Sequence, residues 1–279
     1  MIVAELDGLV FSTEPDAVYT IAELAGWYSG PPPRPDVEDL PNADGADDVD
    51  RVYRSARPIT LTGLIFAESE ADPVWDAFSG LMADGTPKML TVTDAAGVRQ
   101  SEVTLQGTPD LGQLIDGVAR YSVQLLARDP VKYGPAVVQS TGLPSAGGGL
   151  EYPLGDPAGA LYYGAVGASG RVTVTNSGRA ATWPVFRVSG QLDGGFEIRC
   201  VDTGDTLRYE RLVPAGTTVT IDSRTGAVLI DEVSDASTYL TRDGFFSIPP
   251  MGSCEVQFSA VSTSSGTPML EVTSWSGWW

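Results

Sequence analysis

The sequence predicts a mainly β chain in two bodies: a strand-rich first segment with one α-helix, then a β-sandwich. Three observations carry this. Apolar residues alternate with a period of two through most of the chain. A helical period occurs in one segment, just after Asp72. Glycine and proline, 32 and 20 of 279 residues, supply frequent turn signals.

Taken in order, "MIVAELDGLVF" alternates Ile2, Ala4 and Leu6 against Val3, Glu5 and Asp7 and reads as a strand, and "DAVYTIAEL" as another. Gly30 to Arg51 is rich in proline, glycine and acids and reads as a long excursion. "ARPITLTGLIFAES" resumes the sheet with Ile59, Leu61, Gly63 and Ile65 on one face. In the helix, Asp72 is the N-cap and Pro73 occupies the first position. Val74, Trp75, Phe78, Leu81 and Met82 form an apolar stripe that packs on a sheet, and Gly85 is expected to cap the C-terminus. Three strands follow, "KMLTVTD", "VRQSEVTLQG" and "GVARYSVQLLARDP". The last puts Ala119, Tyr121, Val123, Leu125 and Ala127 on one face. Pro130 has no N–H for a ladder and disfavours helix at Asp129, so the first body closes there.

The expected division is therefore 1–134, a Gly/Pro-rich linker over 135–170, and a second body over 171–279. Residues 142–170 hold nine glycines and three prolines, and no Lys or Arg falls between Lys132 and Arg171. Tyr152, Tyr162 and Tyr163 lie in this linker. Beyond it, "RVTVTNSGRAATWPVFRVSG" reads as two strands around a turn at Asn176-Ser177-Gly178. Hairpins turn at Thr203-Gly204-Asp205 and Thr225-Gly226, and "GSCEVQFSAV" is a buried strand. Recurrent turns with no helical period mark a β-sandwich.

Composition removes whole classes of chemistry. The chain has no histidine, which excludes Ser-His-Asp and Cys-His nucleophile systems and His-bearing zinc sites. Cys200 and Cys254, the two cysteines, stand in strand-like sequence and read as buried free thiols. No phosphate-binding glycine motif occurs. No catalytic residue, cofactor or metal is expected. A glycosidase working through two carboxylates is a third-rank reading, because 36 acids supply pairs that sequence cannot position. No stretch reaches the length of a membrane span, and the N-terminus lacks a signal-peptide pattern, so the chain is expected to be soluble and made in a cytoplasm.

The net charge is −19. Residues 1–134 hold 22 acids and 9 bases, and residues 135–279 hold 14 and 8, so the first body carries −13 and the second −6. Such a surface repels nucleic acid and anionic membrane. The acids peak in "DVEDLPNADGADDVD", Asp36 to Asp50, which includes Asp44, Asp47, Asp48 and Asp50 and lacks the spacing of a calcium loop. Exposed aromatics are the other candidates. Trp183, Tyr209, Trp275, Trp278 and Trp279 could stack on a saccharide or dock on a neighbouring domain or subunit, and packing is the favoured role.

The order of these features resembles the distal tail protein of long-tailed, non-contractile bacteriophages, a siphovirus tail-component family. "ARPITLTGLI" looks like the family's lead-in to an I-x-L-x-G strand, with a striped helix and "KMLTV" after it. "VTLQGTPDLGQLIDGVARYSVQLLARDPVKYGP" resembles its strand, loop, strand and closing D-P-x-Y element. "VTVTNSGRAATWPVFRVSG" is similar to its N-x-G, T-x-P, G pattern, and "TIDSRTGAVLID" to the I-D-x-x-x-G hairpin. "SWSGWW" is also common there. The resemblance covers nearly the whole chain, and order and spacing carry it. It implies a tail-tube-like β-sandwich or split barrel with one helix, followed by a galectin-like or carbohydrate-module-like β-sandwich facing outward. It implies a non-enzymatic virion protein, assembled in the host cytoplasm. Six copies would close a ring joining the tail tube and tape-measure protein to tail-tip or baseplate proteins, through which DNA passes unbound. The alternative is a host-saccharide-binding module in the C-terminal sandwich.

Overall fold

A computed structural model of the chain describes residues 1–34, 44, 52–69, 72–147 and 167–279. It resolves into two units, Met1–Pro135 with Trp278–Trp279, and Ala136–Gly277.

Seven strands of the first unit close into a barrel: β1 (Val3–Leu6), β2 (Leu9–Ser12), β3 (Tyr19–Ala25), β4 (Arg57–Phe66), β5 (Lys88–Asp94), β6 (Gly97–Leu105) and β7 (Val118–Ala127). The order around it is β6-β5-β1-β2-β3-β4-β7, and β7 returns to β6 through Leu125↔Leu105 and Leu126↔Thr104. β2 and β3 are parallel, and the other barrel pairs are antiparallel. "MIVAELDGLVF" is a hairpin rather than one strand. Asp7 and Gly8 have φ of 49° and 82°, the two positive values of a tight primed turn, for which Asp-Gly is a favoured pair.

The alternation predicted for β4 and β7 holds. Ile59, Leu61 and Ile65 face Ala119, Tyr121, Val123 and Leu125 in the core. Four rings meet there: Phe78 lies 5.0 Å from Tyr121 and 6.1 Å from Tyr19, and Phe11 lies 5.4 Å from Tyr19. Phe78 comes from the helix α1 (Pro73–Ser79), whose N-terminus is capped as predicted, with Val74 N–H donating to Asp72 Oδ1 at 2.9 Å. The C-terminus differs. The helix ends at Ser79, and Gly80 takes the cap position expected of Gly85. Met82 sits at φ 53° and gives its N–H to Asp7 Oδ2 at 2.7 Å. That contact diverts the backbone while Leu81 and Met82 stay buried.

The second unit is a sandwich of two antiparallel sheets. Its strands are β8 (Val137–Gly142), β9 (Arg171–Asn176), β10 (Val185–Leu192), β11 (Phe196–Cys200), β12 (Thr206–Tyr209), β13 (Thr218–Asp222), β14 (Val228–Ile230), β15 (Leu240–Asp243), β16 (Gly252–Ala260) and β17 (Ser264–Ser274). One sheet runs β8-β17-β10-β13-β14 with Ser234–Asp235 at its edge, and the other β9-β16-β11-β12-β15. Phe186, Val188, Ile221, Leu270 and Val272 from the first meet Val174, Phe196, Ile198, Val256 and Phe258 from the second.

Two segments depart from the sequence expectation. The stretch taken as linker opens with β8, where Val137 and Val138 begin a six-residue ladder with β17. Its β-branched run precedes the glycines and has the composition of a strand. Tyr152, Tyr162 and Tyr163 lie outside the described residues. Asn176-Ser177-Gly178 does not turn a hairpin, because β9 and β10 belong to opposite sheets. It starts a crossover held by the buried Asn176 side chain. Nδ2 donates to the Ala180 carbonyl at 2.7 Å, and Oδ1 accepts from the N–H groups of Gly178 at 2.9 Å and Gly277 at 3.0 Å. Gly178 is required, since a Cβ there would stand 1.8 Å from the Gly277 oxygen.

Candidate assembly surfaces and the closing knot of the first unit

The first unit closes on two buried cations. Arg57 begins β4 and is 1% exposed, and Lys132 follows the Asp129-Pro130 break and is 2% exposed. Arg57 Nε donates to the Pro130 carbonyl at 3.1 Å, and Nη1 donates to the carbonyls of Gly26 at 2.7 Å and Ser29 at 2.6 Å. Lys132 Nζ donates to the Trp27 carbonyl at 2.6 Å and stands 5.5 Å from the indole centre. Gly26 has φ 80°, and a Cβ on it would lie 2.0 Å from the Pro58 oxygen, so the chain passes here only as glycine. The acid of the break is also used: Asp129 Oδ1 accepts the Val131 N–H at 3.1 Å and Oδ2 the Tyr133 hydroxyl at 2.7 Å. The "ARPIT" and "DPVKY" motifs are therefore two halves of one knot.

Among these contacts the cations bind carbonyl oxygens, with no salt bridge to a carboxylate. Burial, then the Arg57 and Arg99 guanidiniums, press the Lys132 ammonium down to about 8 from the usual lysine range, and Asp94 partly opposes this. Trp27 Nε1 and Arg57 Nη2 are buried and make no hydrogen bond among the described residues.

Outside the barrel, register and burial place Val10, Glu5, Thr91 and Gln100 in one row and Met89 beside Glu102 in the next. The outward groups of this β6-β5-β1-β2 face are uncharged apart from the two glutamates.

The predicted aromatics are divided between the two units. Tyr209 is fully buried, stacked on Phe196 at 5.2 Å with an interplanar angle of 17°. It is a core residue, closed to any ligand, because it alternates with Arg208 on the same face as Leu207. Trp183 is half-buried, with the Arg224 guanidinium 5.7 Å from its ring, and Trp275 accepts the Thr182 hydroxyl on its carbonyl at 2.8 Å. Trp278 and Trp279 belong to the first unit, where Arg99 stands 4.7 Å from the Trp278 ring and Arg54 6.0 Å from that of Trp279. Asp44 is exposed, while Asp47, Asp48 and Asp50 lie outside the described residues.

Among the described residues, three carboxylates have displaced proton affinity, all downward. A hydrogen bond from Lys88 holds Asp84 at about 2, the Val74 N–H lowers Asp72, and the Ser237 hydroxyl lowers Asp235. Among the described residues, no helix is long and apolar enough to cross a membrane.

Residues 177–272 match the family model of the siphovirus-type tail component, C-terminal domain. This bears out the resemblance carried by the sequence motifs. The chain is similar over 99% of both lengths, at 14% identity and a TM-score of 0.63, to the crystal structure of the SPP1 Dit protein, gp 19.1, described as a paradigm of the hub adsorption apparatus in phages infecting Gram-positive hosts. It is also similar to a chain of the phage P2 baseplate in its activated conformation with Ca, at 11% identity, a TM-score of 0.51 and 98% coverage of each chain. The strontium form gives 11% and 0.50, covering 98% of this chain and 97% of that one. No curated protein matches by sequence. Over both units the fold is thus that of the SPP1 Dit structure, mainly β with one α-helix among the described residues.

Proposed function

We propose that the chain is a structural distal tail hub, six copies of which close into a ring that extends the tail tube. In this reading the ring joins the tube and tape-measure protein to tail-tip or baseplate proteins, acts without catalysis, and resides in the virion after assembly in the host cytoplasm. The observation that carries it is the end-to-end correspondence of a barrel unit plus a sandwich unit with SPP1 Dit. The first unit forms the ring. The barrel closes through two pairs between β7 and β6, and short added strands cover part of their remaining edges, so ring contacts run through side chains, loops and those short strands. DNA passes without holding because the wall offers no cation to displace counterions. The base-free face bearing Glu5 and Glu102 suits that wall, and the acidic segment with Asp44, Asp47, Asp48 and Asp50 adds to the field. Trp278 and Trp279 anchor the C-terminus rather than stack on saccharide.

The test is negative-stain microscopy and mass measurement of the purified full chain, alone and with tail-tube protein as template. Six-fold rings with an open, acid-lined channel are expected. A monomer under both conditions, or a channel lined by arginine, overturns the reading.

A further inference from the structure

Cys200 and Cys254 stand at one end of two neighbouring strands of the second unit, β11 and β16. Cys200 pairs with Val256, so Cys254 is its diagonal neighbour on the same face. Both are 1% exposed. Past Cys200 the chain turns back on β16. The Val201 N–H donates to the Glu255 carbonyl at 2.8 Å, and Asp202 Oδ2 accepts the Glu255 N–H at 2.8 Å. The two sulfurs and a carboxylate oxygen of Asp202 then lie within 4.8 Å of one another.

We propose that Cys200, Cys254 and Asp202 form a binding site for one soft divalent cation of the zinc and cadmium class. The fourth position is left to water or to the nearby Asp205. Tetrahedral zinc with Zn–S of about 2.3 Å sets its sulfurs about 3.8 Å apart, and Zn–O is about 2.1 Å. The three donors reach that spacing by closing about 1 Å. A direct disulfide fits less well. Diagonal partners on antiparallel strands sit about 7–8 Å apart at Cα, whereas a disulfide spans at most about 7 Å.

Binding converts two thiols and one carboxylate into two thiolates and one carboxylate on the metal, leaving a complex of charge −1 and releasing two protons. Apparent affinity therefore rises about a hundredfold per pH unit while the thiols are protonated. The bound ion would clip the β11–β12 turn to β16, independently of any role in a tail.

The test is titration of metal-stripped, reduced full-length protein with Cd²⁺ and with Zn²⁺. One Cd²⁺ per chain, an ultraviolet cadmium–thiolate band, release of two protons and a raised melting temperature are expected. Cys200→Ser and Cys254→Ser each remove the band, and Asp202→Asn weakens binding about tenfold or more. The proposal fails if the wild type gives no thiolate band, or if binding survives both serine substitutions. It fails equally if metal-free protein forms a Cys200–Cys254 disulfide in air with its fold intact. The wild-type titration decides alone if the serine variants do not fold.

Discussion

Arg57 and Pro130, 73 residues apart, are joined by a 3.1 Å hydrogen bond from Nε to the carbonyl, which ties the start of β4 to the close of the first unit. The same guanidinium holds Gly26 and Ser29. Arg57→Ala strands these carbonyls and opens a cavity, at an expected cost of about 3–5 kcal/mol. Hydrogen exchange at Gly26–Ser29 and Val131–Lys132 should rise ahead of the barrel strands. Uniform exchange across the unit would contradict the knot.

Lys132 makes stability pH-dependent in an unusual window. Its folded value, about 8, lies below the ordinary 10.5. Below pH 8 both states hold the proton. From pH 8 to 10.5 the unfolded chain binds a proton that the native state has shed, so stability rises with pH. The gain is on the order of 3 kcal/mol over the window. Tyr121 acts in the opposite sense, since burial raises its hydroxyl and stability falls as pH climbs past 10. Urea unfolding at pH 7, 8, 9 and 10 should show the rise, and Lys132→Met should flatten it while costing little at pH 7. A wild-type profile already flat from 8 to 10 would refute this account of Lys132.

Gly63 is the glycine of the "ITLTG" motif because the Tyr121 hydroxyl reaches the Thr20 carbonyl, 2.7 Å away, alongside it. A Cβ on Gly63 would lie 1.7 Å from the Thr20 oxygen and 2.8 Å from the Tyr121 hydroxyl. Gly63→Ala should cost more than about 4 kcal/mol or prevent folding. Tyr121→Phe removes one hydrogen bond and should cost about 1–2 kcal/mol. Soluble yield and thermal melts read both, and a native-like Gly63→Ala would disprove the close approach.

Asn176 satisfies four partners from a fully buried site, counting a longer bond of 3.4 Å to the Ile248 carbonyl. Asn176→Ala should destabilise the second unit by about 2–4 kcal/mol, and Asn176→Asp nearly as much, because a carboxylate cannot donate to Ala180 and Ile248. Calorimetry of the full chain should move the transition of the second unit and leave the first in place.

Local patterns were readable from sequence, and pairings between distant segments were not. The burial face of Val118–Ala127, the Asp72 cap and the turns at Gly204 and Gly226 follow from residues within one element. Closure of the barrel through Leu125 and Leu105 rests on a nonlocal register that no short pattern encodes. Composition also misleads at Lys132, since buried lysine runs against ordinary burial preference. Tyr209 was legible: Leu207 and Tyr209 alternate with Arg208, and that alternation places the ring inside. Cys200 and Cys254 converge because β11 and β16 are neighbours, which their sequence separation conceals.

The assignment of Trp278 and Trp279 to the first unit has a practical corollary for dissecting the molecule. A fragment stopped at Pro135 omits the rings that sit by Arg99 and Arg54, so its weakness would say nothing about the barrel itself. The sandwich is excised by two cuts, after Pro135 and after Gly277.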